Sequence, residues 1–113
     1  MRKVWMSLAL VALSGCSTIS EIRQKPAYAT FQATKAAKQV AECVRDGWQE
    51  QSFGGPSMVM IQEGNGRLTV ISPAGGPPLE IVDITENTAS LYFSGGIFES
   101  RKKRRAEVLK QCI

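Results

Sequence analysis

The chain has 113 residues, with 14 Lys and Arg against 10 Asp and Glu, three Cys and no His. A chain of this length forms one small domain with a core of marginal size. Because His is absent, catalytic Ser-His and Cys-His pairs are excluded. No group of residues specifies a reaction or a ligand, so the sequence informs mainly on compartment, anchor and architecture.

The N-terminal segment has the layout of a secretory signal peptide. Arg2 and Lys3 precede an apolar run over residues 4–13, and small residues then lead into Cys16. An apolar helix of about ten residues rises roughly 15 Å, whereas a bilayer span needs about twenty residues. We therefore predict a cleaved signal peptide over residues 1–15 rather than a permanent transmembrane helix.

The residues around the predicted cleavage point, Leu13-Ser14-Gly15-Cys16, resemble the lipobox of bacterial lipoproteins. Members of that class are cut before the cysteine, whose thiol is joined to diacylglycerol and whose new amino group is often acylated, commonly with palmitate. The resemblance implies that Cys16 is a lipid anchor, and two acyl chains are enough for stable anchoring. Since Ser17 rather than Asp follows, it favours the outer membrane, facing the periplasm. In a Gram-positive source the membrane would differ but the anchor would not.

The rest of the chain divides into a short tether and one domain. Residues 16–28 mix polar and apolar residues and include Pro26, which predicts a lipidated N-terminus and tether. Residues 29–113 are predicted to form a single periplasmic domain. Removing Arg2 and Lys3 with the signal peptide lowers the formal charge from +4 to +2.

With Cys16 assigned to lipid, Cys43 and Cys112 remain as an even pair in an oxidising compartment. We predict that they form a disulfide, which would stabilise the fold by roughly 4 kcal/mol in the chain-entropy model. A metal site would need more ligands, and a redox pair would normally show a C-x-x-C spacing.

Helical periodicity appears at both ends of the predicted domain. A helix starting at Ala29 or Gln32 would carry its apolar residues on one side, with Cys43 at the buried edge and Trp48 as a core residue. A second helix is predicted over residues 98–112. Its apolar positions are Phe98, Val108, Leu109 and Cys112.

Between the helices the pattern becomes extended, with β-branched residues and partial alternation. Four strands are predicted, over residues 57–62, 67–72, 79–84 and 88–93. Short Gly-, Pro- and Asn-containing links favour an antiparallel meander. The predicted fold class is α+β: helix, four-stranded meander, helix, in two layers linked by the disulfide.

A run of five cations interrupts the terminal helix: Arg101, Lys102, Lys103, Arg104 and Arg105. We interpret it as a solvated helix surface, with Glu99, Lys103 and Glu107 spaced for i,i+4 ion pairs. The alternative is contact with anionic lipid headgroups, lipopolysaccharide or an acidic protein. Nucleic acid would suit such a run in a cytosolic protein, but export argues against it.

Catalytic candidates are few. Glu80, Asp83 and Glu86 lie close in sequence, but strand alternation places Glu80 and Asp83 on opposite faces, so we interpret them as surface charges. We expect a non-enzymatic envelope lipoprotein that uses no cofactor or metal and whose domain binds an envelope protein through an exposed apolar sheet face or patch. An inhibitor or immunity-type module acting through the loop at residues 72–78 is the alternative, and a hydrolase is the third.

Overall fold

The computed structural model describes residues 18–53 and 58–113. The signal peptide and Cys16 therefore lie outside the described residues, and their predicted roles stay predictions. The elements in chain order are α1 (Ile19–Arg23), β1 (Ala29–Gln32), α2 (Ala37–Glu50), β2 (Met60–Gly64), β3 (Arg67–Ser72), β4 (Glu80–Ile84), β5 (Thr88–Phe93) and α3 (Glu99–Cys112).

The strands form one antiparallel sheet in the order β1-β5-β4-β3-β2. The α+β class and the antiparallel pairing of the strands are confirmed, and β3 and β5 have the predicted bounds. The predicted number of strands is wrong, because β1 adds a fifth. Residues 29–32 alternate between half-buried and exposed positions and pair with β5, so the first long helix begins later, at Ala37.

Both long helices pack on the same face of the sheet, as predicted. α2 presents a stripe of buried residues, and Trp48 near its C-terminal end is fully buried, which confirms its predicted core role. Leu109 of α3 is equally buried. Helix layer and sheet thus share the main core, centred on Val40, Val44, Trp48, Val70, Val82, Ile84, Leu91 and Leu109.

The disulfide between Cys43 and Cys112 is present and joins α2 to α3, confirming that prediction. Two details of the helices differ from the sequence expectations. Cys43 lies on the exposed side of α2, while Cys112 is buried. Phe98 precedes α3 and is 82% exposed, because the chain is extended there and turns its ring away from the core.

Among the described residues, α1 covers part of the opposite face of the sheet. The predicted tether is corrected here: residues 19–23 are helical, and Thr18 and Glu21 close a capping box at the helix start. Ile22 is fully buried against Ile71 and Ile81 in a small second cluster. Within the described residues, the fold therefore includes α1, which lies before the predicted domain boundary at residue 29. Among residues 18–53 and 58–113 no helix has the length and apolarity needed to cross a bilayer.

Candidate functional site

A buried network of charges connects α3 to the sheet. Glu80 begins β4 and is fully buried. It accepts hydrogen bonds from Arg101 Nε at 2.9 Å and Arg101 Nη2 at 2.7 Å. Arg105, also fully buried, donates from Nη2 to the same carboxylate at 3.1 Å. One carboxylate thus pairs with two guanidinium groups from successive turns of α3, which leaves one positive charge uncompensated among the three side chains.

Arg105 also binds the end of α2. Its Nη1 donates to the Trp48 carbonyl oxygen at 2.9 Å and to Gln51 Oε1 at 3.0 Å, and its Nη2 donates to Ser72 Oγ at 2.9 Å. Burial lowers the pKa of the Arg105 guanidinium, and the charge of Glu80 opposes that shift. Both Nη atoms donate to protein acceptors, whereas the buried Nε has no hydrogen-bond partner among the described residues. Through these contacts Arg105 joins the two long helices to the sheet.

These contacts correct the interpretation of the basic run. Arg105 is fully buried, and Arg101 is bound to Glu80 with its side chain 19% exposed, so these two cations are not part of a freely solvated helix surface. The predicted i,i+4 pairing is also replaced, since Glu99 accepts a hydrogen bond from Tyr28 and Glu107 pairs with Lys110. Lys103 and Arg104 are exposed, and contact of the outer cations with an anionic surface stays a prediction.

A second, more exposed ion pair lies on the other face. Asp83 accepts from Arg23 Nε at 2.7 Å, Arg23 Nη2 at 2.9 Å and Thr69 Oγ1 at 2.7 Å, with Arg67 Nε 3.7 Å away. Burial alone would raise the pKa of Asp83, but these hydrogen bonds and charges hold it below its ordinary value. The pair fixes α1 to the sheet.

The two carboxylates are on opposite faces, as alternation predicted, but the interpretation of both as surface charges is wrong. Glu80 is fully buried, and the Asp83 side chain is 12% exposed. Each is bound to arginine, and they cannot converge on one substrate. Within the described ranges no three acidic or Cys side chains are grouped so that they could hold a metal ion.

An open apolar groove lies on the α1 side of the sheet, with a volume of about 450 Å³. Met60, 37% exposed, and Ile71 form its floor on neighbouring strands, and Ile19 contributes from α1. The remaining lining residues are Thr18, Gln62, Pro73, Ala74, Gly76, Pro77 and Pro78.

An aromatic patch lies at the start of α3, which we define as Tyr28, Phe98, Glu99 and Lys102. Tyr28 Oη donates to Glu99 Oε2 at 2.9 Å, and Lys102 Nζ lies 5.7 Å from the centre of the Tyr28 ring. Among the described residues, Phe98 has the most exposed aromatic side chain, at 82% against 38% for Tyr28. An exposed aromatic ring is a feature enriched at protein-binding surfaces.

No protein-family model matches the chain, and the searches of curated proteins and of solved structures gave no significant match. The interpretation of the site therefore depends on its own residues.

The charge network was missed at the sequence level, although the signal was present. Strand alternation puts Glu80 on the same face as Val82 and Ile84, which is the core face. Helical spacing likewise puts Arg105 in line with Leu109 and Cys112. A carboxylate and a guanidinium that are both predicted at core positions should form an ion pair, because a buried charge requires a partner.

Proposed function

We propose that this chain is a small lipid-anchored envelope protein whose α+β domain is non-catalytic and binds a protein partner. The lipobox at Cys16 supports the anchor, and the observation that carries the binding function is the exposed ring of Phe98 within the aromatic patch. Aromatic residues, Phe among them, are enriched at protein interfaces relative to the rest of the surface. The outer membrane, facing the periplasm, is the proposed location.

The anchor is tested with the full chain produced in a Gram-negative host. Intact mass should show a chain that begins at Cys16 and carries diacylglycerol, and the protein should sediment with membranes. The variant C16S should keep Met1 and carry no lipid. S17D should shift the lipidated protein to the inner membrane, while S17A should leave it in the outer membrane. An unlipidated wild-type chain would overturn the proposal.

The binding surface is tested by affinity capture from envelope extracts with F98S. The control is M58S, which removes another exposed apolar side chain, 68% accessible, away from the aromatic patch. We expect a specific partner to be captured by the wild type and by M58S and lost with F98S. Equal capture by all three proteins would contradict a role for the patch.

An inhibitor or immunity-type function is the second candidate, and the exposed loop between β3 and β4 favours it. Gly75, Gly76 and Pro77 are exposed, while a hydrogen bond from Leu79 N to the Ser72 carbonyl oxygen, 2.8 Å long, closes the loop. A loop closed at its base and open at its tip can enter a cleft. In the same capture experiment, P77D would abolish binding of an exported enzyme, and F98S would not.

A further inference from the structure

We propose that the open groove on the α1 side of the sheet is a membrane-contact surface, covered by acyl chains of the bilayer that holds Cys16. The inference rests on the lipid anchor in the proposed function. It goes beyond that function by assigning a second point of membrane contact and a fixed orientation of the domain.

The first argument is the distance between groove and anchor. Thr18 lines the groove, and Cys16 is two residues earlier in the chain. Since extended backbone spans at most about 3.6 Å per residue, the anchor lies within about 7 Å of the Thr18 backbone. An anchor that short brings the groove to the bilayer surface.

The second argument is that α1 is fixed to the domain and cannot rotate independently of it. Its first turn is closed by the capping box, Ile22 is fully buried, and Arg23 is bound to Asp83 at 2.7 Å. The helix is therefore part of the domain. Only Cys16 and Ser17 separate the lipid from this helix, so the start of α1 faces the membrane, and the groove is lined by Thr18 at that end.

The third argument is the chemistry of the lining. The ten lining residues among those that the structure describes include no Asp, Glu, Lys or Arg, although charged residues make up 21% of the chain. Met60, Ile71 and Ile19 are apolar, whereas Thr18 and Gln62 bring hydroxyl and amide groups to the edge. An apolar centre with uncharged polar groups suits the boundary between acyl chains and headgroups, where charged groups are costly.

The same chemistry argues against a protein as the occupant. Binding energy in protein interfaces is concentrated in Trp, Tyr and Arg. The lining contains none of these, whereas exposed aromatic rings lie in the aromatic patch. Lipid and protein contacts are therefore assigned to different surfaces.

The test uses the lipidated full chain in phosphatidylcholine vesicles whose acyl chains carry bromine, a quencher of Trp fluorescence. M60W places a reporter in the groove. The matched control is Q39W, on the exposed side of α2 in the helix layer. Both variants share the buried Trp48, which serves as a common background.

In brominated vesicles, the emission that M60W adds to that of Trp48 should be quenched. In vesicles without bromine, this added emission should lie at a shorter wavelength than the emission added by Q39W. Bromine should not quench the emission added by Q39W. A second reporter, P77W, should behave like M60W and covers the case in which M60W disturbs the fold. Equal response of the groove reporters and Q39W would overturn the proposal. A wavelength shift without quenching would also overturn it, because the protein's own lipid or another protein would then fill the groove.

Failure of the anchor is distinguished from failure of this proposal by intact mass on the same samples. A chain without diacylglycerol contradicts the proposed function before any fluorescence is read. A lipidated chain whose groove reporters are not quenched contradicts only the membrane contact.

Discussion

The two faces of the sheet use the same kind of interaction at different depths. β4 directs Glu80 toward the helix layer and Asp83 toward α1, and each carboxylate receives bidentate hydrogen bonds from an arginine. Glu80 is fully buried and holds a second arginine, whereas Asp83 keeps 12% exposure. Burial therefore increases the loss of stability that follows when one partner of the ion pair is removed, because the remaining charge is then buried without compensation.

The faces also differ in what surrounds the pairs. The helix-covered face has the main core and the disulfide, while the α1 face has a cluster of three buried isoleucines, Ile22, Ile71 and Ile81. We therefore expect the helix layer to set the global stability and α1 to detach at lower free energy. The four predictions below test this difference, beginning with the largest expected effect.

Removing the disulfide should destabilise the domain most. Cys43 and Cys112 are separated by 69 residues, and a loop of this size predicts a loss of roughly 4 kcal/mol in the free energy of unfolding. Urea unfolding of C43S/C112S, compared with the oxidised parent, measures the loss. Reductant should reproduce the effect in the parent and have no effect on the variant. A loss below about 1 kcal/mol would show that the helix layer does not depend on the crosslink.

Neutralising Glu80 should be the next most damaging change. E80Q keeps the shape of the side chain but leaves Arg101 and Arg105 without their counter-charge, which should cost about 3 kcal/mol. The matched control is E63Q on β2, where the side chain is exposed, and it should change stability by less than about 0.5 kcal/mol. Urea midpoints of both variants decide the outcome. Equal stabilities would mean that burial of Glu80 does not amplify its pairing.

The elements that could be predicted from the sequence were those with strong local signals. Strand alternation and turn residues predicted the bounds of β3 and β5. Helical spacing predicted the helix layer and the burial of Trp48. β1 could not be predicted as a strand because its four residues are stabilised by pairing with β5, sixty residues away, rather than by local propensity. In a helix that starts at Ala29, Phe31 would lie on the polar side, and this misplaced aromatic residue was the available warning.

The candidate surfaces were less predictable. The exposure of Phe98 depends on how the chain enters α3, and the groove arises where α1 and the loop after β3 meet two strands. Neither arrangement follows from local sequence pattern. The basic run was misleading, since five adjacent cations conceal a helical period that places Arg101 and Arg105 toward the sheet.

Gly47 tests how closely the two helices of the covered face approach. A Cβ atom at this position would lie 2.5 Å from Val108 Cγ1 of α3. We expect G47A to destabilise the domain by about 2 kcal/mol, because the overpacking penalty exceeds the gain in helix propensity. V108A should relieve the contact, so the double variant should be more stable than the sum of the single effects predicts. Additive effects in this double-mutant cycle would contradict close packing at this point.

Asp83 tests the more open face and is the smallest of the four expected effects, at about 1.5 kcal/mol for D83N at neutral pH. The folded state holds the pKa of Asp83 below its ordinary value of 3.8, so the ionised carboxylate stabilises the fold. That contribution is complete above the pKa of the unfolded chain and is lost as the pH falls through the lower, folded value. The stability difference between parent and D83N should therefore be constant near neutrality and shrink below about pH 4.

The variant R23Q distinguishes the acid-dependent loss of stability that comes from the Arg23–Asp83 ion pair from the loss that comes from the other carboxylates of the protein. It keeps Asp83 but removes the donor that lowers its pKa, so the R23Q chain should lose less stability than the parent on acidification. Hydrogen exchange of the amides of residues 19–23 should quicken in both variants, while exchange in α2 and α3 stays slow. If exchange instead quickened throughout the domain, the α1 face would be as essential to the fold as the helix-covered face, and the contrast between Glu80 and Asp83 would not hold.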